Sequence, residues 1–315
     1  MKTLNHELAS SYIMLHYPDL SPAEAGKKCR EFLETIERGE RSFADYFVML
    51  GADRQVIWSL SLIPVQEAEY IAIPPRQLQN RPLDLDQFTS IITSVIRRCA
   101  ELNANRVDVR LVQGDQDVEI SKIFTSNGFS KKHERIEFKT QIANLPDEEG
   151  TPLTWESASA SGAIDLESAA ELLGQAGRGD PDWSTNDDPC ELLTQWLADA
   201  ELSHGPKSVQ IGFSDGNPAA IVIAQVNQRS GWSRITYMGL LPEFRQRGLG
   251  KWIHRHGFTM MKEQGGKEYH GGTVSTNTTM IRLFHRHNCI EFRKMDEWTL
   301  SLVQAVLDIS SRESY

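Results

Sequence analysis

The feature that most constrains this chain is a repeat. At a constant offset of 160 residues, Ile123-Phe124 falls on Leu283-Phe284, Phe129 on Cys289, Glu137 on Glu297 and Phe138 on Trp298. Each half therefore ends in a short helix, a turn and an alternating strand. A hairpin pattern recurs earlier in both halves. In the first it runs from Tyr46 to Leu50, through Gly51-Ala52-Asp53, to Val56–Leu60; in the second from Val209 to Phe213, through Ser214-Asp215-Gly216-Asn217, to Ala219–Val226. A third strand follows each hairpin, Glu69 to Ile73 or Arg234 to Leu241, and stops at Pro74 or Pro242. Amphipathic helices come next, with Phe88, Ile91, Ile92, Val95 and Ile96, or Trp252, Ile253, Phe258 and Met261, at helical spacing. Then comes a short strand, Val107 to Leu111 or Gly272 to Val274. The order β-β-β-α-β-α-β appears twice, which predicts two tandem copies of one α+β domain. From Ala143 to Pro152 the apolar periodicity stops and Pro, Gly and acid cluster, so the expected domains are 1–145 and 146–315.

A length of 315 residues allows each copy its own core. The balance of 33 Lys+Arg against 43 Asp+Glu, a net charge of −10, argues against general binding to nucleic acid, which needs a basic surplus facing the phosphates. No apolar run approaches the ~18 residues of a membrane span, and Met1 to Glu7 lacks the apolar core of a signal peptide. The expectation is a cytoplasmic protein without a membrane partner. Cys29, Cys99, Cys190 and Cys289 are far apart and form no C-x-x-C, so reduced thiols are expected rather than a disulfide framework or zinc site.

The segment most specific for chemistry is Leu240-Leu241-Pro242-Glu243-Phe244-Arg245-Gln246-Arg247-Gly248-Leu249-Gly250-Lys251, between a strand and a helix. Its glycines let backbone approach a ligand closely, and the helix start offers unpaired N–H groups and the positive end of its dipole. Together these make a pyrophosphate cradle, with Arg245 and Arg247 adding charge. Two other phosphate motifs fail. A Walker loop needs Gly where Arg245 stands and Ser/Thr where Trp252 stands. A dinucleotide fingerprint needs Gly or Ala where Ile253 stands.

Leu240, Pro242, Arg245, Gly248 and Gly250 resemble the V-x-P-x-x-R-x-x-G-x-G/A pattern of the GNAT superfamily of acyl-CoA-dependent N-acyltransferases, with Leu in place of Val. About 30 residues on, Asn277, Met280, Leu283 and Phe284 approach the family's strand-end Asn and L-Y-x-x-x-G-F helix. The resemblance covers roughly 155–302. The first half matches weakly, through Ile123 to Phe129, and its loop Pro74 to Pro82 has no glycine, so that copy is expected to be a degenerate GNAT-like domain without a CoA site.

The resemblance implies a mixed, mostly antiparallel sheet flanked by helices in each copy. It also implies acetyl-CoA as donor, held by Gln246, Arg247, Gly248, Leu249, Gly250 and Lys251, with Leu240, Leu241, Arg245, Asn277 and Phe284 lining the cofactor. The strand Tyr237 to Leu241 is expected to splay from the next one, Gly272 to Ser275, and the thioester to lie in the opening. A main-chain N–H near Leu240 then polarises the thioester carbonyl while an amine attacks in a ternary complex. Two departures bear on the chemistry. Phe284 replaces the Tyr that often protonates the leaving thiolate, leaving Cys289, His285 or Tyr237 as substitutes, and Asn288-Cys289 replaces the Gly-Phe. Tyr237 is also a candidate catalytic base. The intact cradle without the Tyr admits a second reading, a non-catalytic sensor of acyl-CoA.

Asp188, Pro189 and Glu191 have the pattern of a helix start, whereas Asp180, Asp182 and Trp183 have no such role. In the GNAT resemblance this connection borders the acceptor site, where the carboxylates would favour a cationic amine and Trp183 would cover its alkyl part. The histidines at 254, 256, 285 and 287 invite a metal, but residues two apart do not share a helix face, so no metal is expected and a solvated helix surface is the alternative. The expected partners are a small-molecule or peptide amine and a second copy of the chain in a homodimer.

Overall fold

The computed structural model describes residues 2–18, 20–66, 68–73, 84–114, 116–145, 150–158, 164–183, 188–198, 202, 208–228 and 230–302. The first-half loop Pro74 to Pro82 lies outside them, as do residues 146–149 of the linker and 184–187 of the acidic loop. The chain divides into two units, Met1–Glu134 with Lys294–Tyr315, and Arg135–Arg293. The division departs from 1–145 and 146–315 because each half gives its last strand to the other unit.

The first unit contains β1 (Lys2–Thr3), α1 (His6–His16), α2 (Pro22–Glu37), β2 (Tyr46–Leu50), β3 (Val56–Gln66), β4 (Glu69–Ile73), α3 (Leu85–Glu101), β5 (Arg106–Val112) and α4 (Asp117–Ser126). Its sheet runs β1-β2-β3-β4-β5 and is completed by Met295–Ser301 of β12 (Ile290–Ser301), antiparallel to β5. Beneath α3 and α4 the rings of Phe88, Phe124 and Trp298 form its main core, Phe124 stacking on Trp298 at 4.9 Å. Tyr12 and Ile13 of α1 bury a second core with Tyr46 and Val48. The parallel pair β4 and β5 stays in register from Glu69↔Arg106 to Ala72↔Val109, almost the whole of β4.

The second unit begins inside β6 (Ser130–Gln141), whose residues from Arg135 pair antiparallel with β11 (Glu268–Val274). It continues with β7 (Thr154–Ser157), α5 (Leu166–Gly177), α6 (Pro189–Leu197), β8 (Val209–Ser214), β9 (Asn217–Val226), β10 (Trp232–Leu240), α7 (Gly250–Glu263) and α8 (Thr278–Arg286). The sheet order is β6-β11-β10-β9-β8-β7, antiparallel except for β10 with β11. β9 reads as an almost unbroken apolar run because both its faces are covered. Its Ile221 and Ile223 pack under α5 and α6, while Ala220, Val222 and Ala224 pack under α7. Both units are therefore α+β, with mixed, mostly antiparallel sheets between helices, and the repeated β-β-β-α-β-α-β order is present in both halves.

Local chemistry sets the helix starts. Asp188 caps α6, its Oδ1 accepting from the amides of Cys190 (2.7 Å) and Glu191 (3.1 Å), with Pro189 at the first helical position as expected. Ser21 and Glu24 form a reciprocal capping box at α2. No helix among the described residues is long and apolar enough to cross a membrane.

Candidate functional site

β10 lies inside its sheet, yet every residue from Arg234 to Leu240 remains partly exposed. The reason is on its β11 side. The two strands pair only at Trp232↔Glu268 and Ser233↔Tyr269, then separate. On the other side β10 stays in register with β9 as far as Leu240↔Ala220. The Leu241 amide donates to the Ala219 carbonyl at 2.9 Å. Because antiparallel strands alternate the residues that face a neighbour, the N–H groups of Leu240 and Met238 point towards the opening. The expected splay is present in this unit, and the first unit's β4 and β5 show no counterpart over their described length.

A bulge between Ile235 and Tyr237 shifts the register. Ile235, Met238 and Leu240 pack on the α7 side, whereas Tyr237 is re-aimed into the α5/α6 side.

Between β10 and α7 the loop adopts left-handed backbone at Gln246 (φ 62°) and Gly248 (φ 73°). A Cβ at Gly248 or Gly250 would meet no atom within 4 Å, so both glycines face open space. Leu249, the residue before α7, is buried and gives no side-chain cap, and the first turn carries no acid. Helices α1, α2, α3, α5, α6 and α8 all have a side-chain cap. The first-turn amides of α7 are thus presented beside an open glycine loop, with Lys251 and Arg247 nearby. Those donors and that space suit a pyrophosphate.

Arg245 has a different task from the one the motif suggests. Its Nε donates to the Leu240 carbonyl (3.1 Å), and its two terminal nitrogens donate to Arg178 (2.7 Å) and Ala176 (2.8 Å). It joins the end of β10 to the C-terminus of α5, where carbonyls lack helical partners. Asn277 caps α8, accepting from the Met280 amide at 3.1 Å, and its amide nitrogen donates to Asp182. Phe284 is 1% exposed and stacks on Phe138 at 4.4 Å, so it is part of the core. Cys289 is also buried there, and burial pushes its thiol up to about 12.

The acidic loop separates its two carboxylates. Asp182 is held by Arg135 of β6 (3.1 Å), the Val274 amide (3.1 Å), Asn277 (3.1 Å) and the Thr273 hydroxyl. This corrects the expectation that it attracts an amine, because its oxygens tie the loop to the end of β11. Asp180 accepts from the Asp182 amide at 2.9 Å and from the Tyr237 hydroxyl at 3.4 Å. Burial, with the neighbouring Asp182 charge, raises its carboxyl above the ordinary range. Burial and then the Asp180 charge raise Tyr237, so its hydroxyl keeps its proton. Trp183 meets the Tyr237 ring edge-on at 5.5 Å, and Trp196 stacks on it at 6.2 Å. A cavity of about 580 Å³ opens here, lined by Glu171, Gln175, Arg178, Asp180, Trp183 and Pro189 among others.

Of the four histidines only His285 is exposed, as the alternative to metal binding supposed; the other three are buried. His254 and His287 are buried with their Nδ1 atoms 2.8 Å apart, and His254 also meets the Tyr269 hydroxyl at 3.4 Å. His256 stacks on Trp155 at 3.7 Å and pairs with Gln210 at 2.6 Å. Among the described residues no group of three or more His, Cys, Asp or Glu could hold a metal.

Residues 171–288 match the model of the Acetyltransferase (GNAT) family. No curated protein matches the chain by sequence. Solved structures show the fold. A GCN5-related N-acetyltransferase from Sphaerobacter thermophilus is 14% identical with a TM-score of 0.66, over 95% of this chain and 94% of that one. A tandem GNAT protein from the clavulanic acid biosynthesis pathway is 9% identical with a TM-score of 0.57, over 95% and 96%. A GCN5-related N-acetyltransferase from Kribbella flavida is 13% identical with a TM-score of 0.54, over 77% and 86%. The family match runs from within α5 through the open strand and the uncapped helix to the end of α8, so this stretch of the second unit is similar to the GNAT family of acetyltransferases.

Proposed function

We propose that the second unit transfers an acetyl group from acetyl-CoA to a primary amine by direct attack in a ternary complex. The observation that carries this reading is the parting of β10 from β11 beside a helix whose first turn has no cap. The amides of Gly248, Leu249, Gly250 and Lys251 would hold the pyrophosphate, and the exposed edge of β10 would pair with the pantetheine arm. Acetyl-CoA supplies an acyl group already activated as a thioester. The Leu240 N–H would stabilise negative charge on the carbonyl oxygen as the amine attacks. The acceptor would enter from the cavity at Asp180 and Trp183, where a carboxylate and an indole suit a cation with an alkyl body. Four unbridged cysteines are in keeping with the cytoplasm.

Thermal unfolding with and without acetyl-CoA tests the donor. At about 100 times its Kd the ligand should add roughly 2.7 kcal/mol of stability, and Gly248→Asp should abolish the shift by placing charge and bulk in the cradle. No shift in either protein would remove acetyl-CoA from this reading. Binding without consumption of acetyl-CoA above its hydrolysis rate, across a panel of amines, would favour the acyl-CoA sensor instead.

A further inference from the structure

We propose, on the acetyl-transfer reading above, that Asp180 is the base that takes the proton of the acceptor ammonium, and that Tyr237 positions it. Asp180 lines the cavity, and both its oxygens are oriented, one by the Asp182 amide and the other by the Tyr237 hydroxyl. The bulge in β10 brings the Tyr237 ring to this side of the sheet. Position 239 must be glycine for the hydroxyl to sit there, since a Cβ would lie 2.8 Å from the Tyr237 oxygen and 3.0 Å from Ala176. The Tyr237 hydroxyl therefore rests against the backbone next to Leu240, whose N–H faces the opening. The Asp180 carboxylate is one hydrogen bond beyond it.

The neighbouring groups single out Asp180. Asp182, on the same loop, is committed to Arg135, Thr273, Val274 and Asn277. Arg245, facing from the loop before α7, is bound to three carbonyls. Glu171 and Arg178 line the cavity from α5 and its end but are exposed. Burial raises the Asp180 carboxyl, bringing it closer in basicity to an amine than an ordinary carboxylate is.

The ammonium gives one proton to Asp180, and the freed nitrogen lone pair attacks the thioester carbonyl carbon. The new C–N bond forms and the C–S bond breaks, its electron pair leaving on sulfur. Sulfur takes the surplus proton of the former amine, and Asp180 releases its proton to solvent.

The test follows acetyl-CoA consumption by the full chain from about pH 5 to 9, with glucosamine, spermidine, lysine and a lysine-containing peptide as acceptors. In wild type kcat/KM should fall on the acid side as Asp180 protonates. Asp180→Asn should lower kcat by about 10²–10⁴-fold and remove that limb while keeping the thermal shift with acetyl-CoA; Asp180→Glu should recover part of the rate. Tyr237→Phe removes a hydrogen bond that favours the ionised carboxylate, so it should move the limb to higher pH, which a purely structural ring would not do. Asp180→Asn with wild-type kcat and an unchanged limb overturns the proposal and leaves acetyl transfer standing. Should that variant no longer melt cooperatively, the limbs of Asp180→Glu and Tyr237→Phe decide, and identical limbs overturn it. No turnover with any of the four acceptors overturns the transfer reading and this inference with it.

Discussion

The guanidinium of Arg135 lies 3.1 Å from the carboxylate of Asp182. Arg135 belongs to β6, a strand of the first sequence repeat, and Asp182 to the loop after α5 in the second. A residue of the first repeat therefore anchors the loop that carries Asp180. The same strand pairs with β11 from Arg135↔Val274 to Gln141↔Glu268 and supplies Phe138 to the core under α8.

A fragment of residues 146–315 should consequently fold poorly. It lacks β6, which leaves the β11 edge unpaired and Phe284 without its stacking partner. Residues 130–293 retain the strand and should stay soluble and keep the thermal shift with acetyl-CoA. Equal solubility and equal shifts for the two fragments would show that β6 contributes nothing to the second unit.

Much of this architecture is legible in the sequence, and particular residues show why the rest is not. The hairpins, the Asp188-Pro189-Glu191 helix start and the glycine loop follow from local patterns, so they appear where expected. The strand exchange does not, because β6 and β12 have alternating patterns that fit either sheet and period two names no partner. The same gap explains the acidic loop. Asp180 and Asp182 look equivalent along the chain, and partners from distant segments, Arg135, Thr273, Val274 and Asn277 at one and Tyr237 at the other, distinguish the tethered carboxylate from the half-buried one. The bulge that turns Tyr237 towards Asp180 likewise has no glycine or proline to announce it.

Arg245 should prove to be a stability residue. Arg245→Ala leaves the carbonyls of Ala176, Arg178 and Leu240 without this donor and should cost about 1.5–3 kcal/mol, the range for a hydrogen bond to a charged group. Arg245→Lys should restore little, because a single ammonium cannot reproduce the spread of the guanidinium fork. Urea unfolding of the three proteins measures both effects, and a stability change below about 0.5 kcal/mol for Ala would contradict the role.

The buried pair His254 and His287 should make stability depend on pH. Burial lowers both, His287 to about 4, with the His287 charge adding to the effect at His254 and Arg255 and Arg286 adding to it at His287. Both are neutral in the folded chain, whereas unfolded histidines take up protons near pH 6.5. Their contribution is complete above about pH 6.5 and is lost as pH falls towards 4, with a slope of at most about 1.4 kcal/mol per pH unit for each histidine. Urea midpoints at pH 7.5, 6 and 5 should therefore fall more steeply for wild type than for His287→Gln. Parallel curves would mean that the pair titrates normally in the fold.

Position 284 tests whether the missing family tyrosine matters. Phe284 is enclosed by Phe138 at 4.4 Å, His254 at 5.5 Å and Tyr269 at 6.3 Å. A hydroxyl added to that ring enters the packed core, and without a partner it costs about 1–3 kcal/mol. Phe284→Tyr should therefore lower the melting temperature without raising kcat. A variant that instead gains activity at unchanged stability would place the hydroxyl in the opening between β10 and β11, where it could protonate sulfur. The core packing around Phe284 would then have to give way at that position.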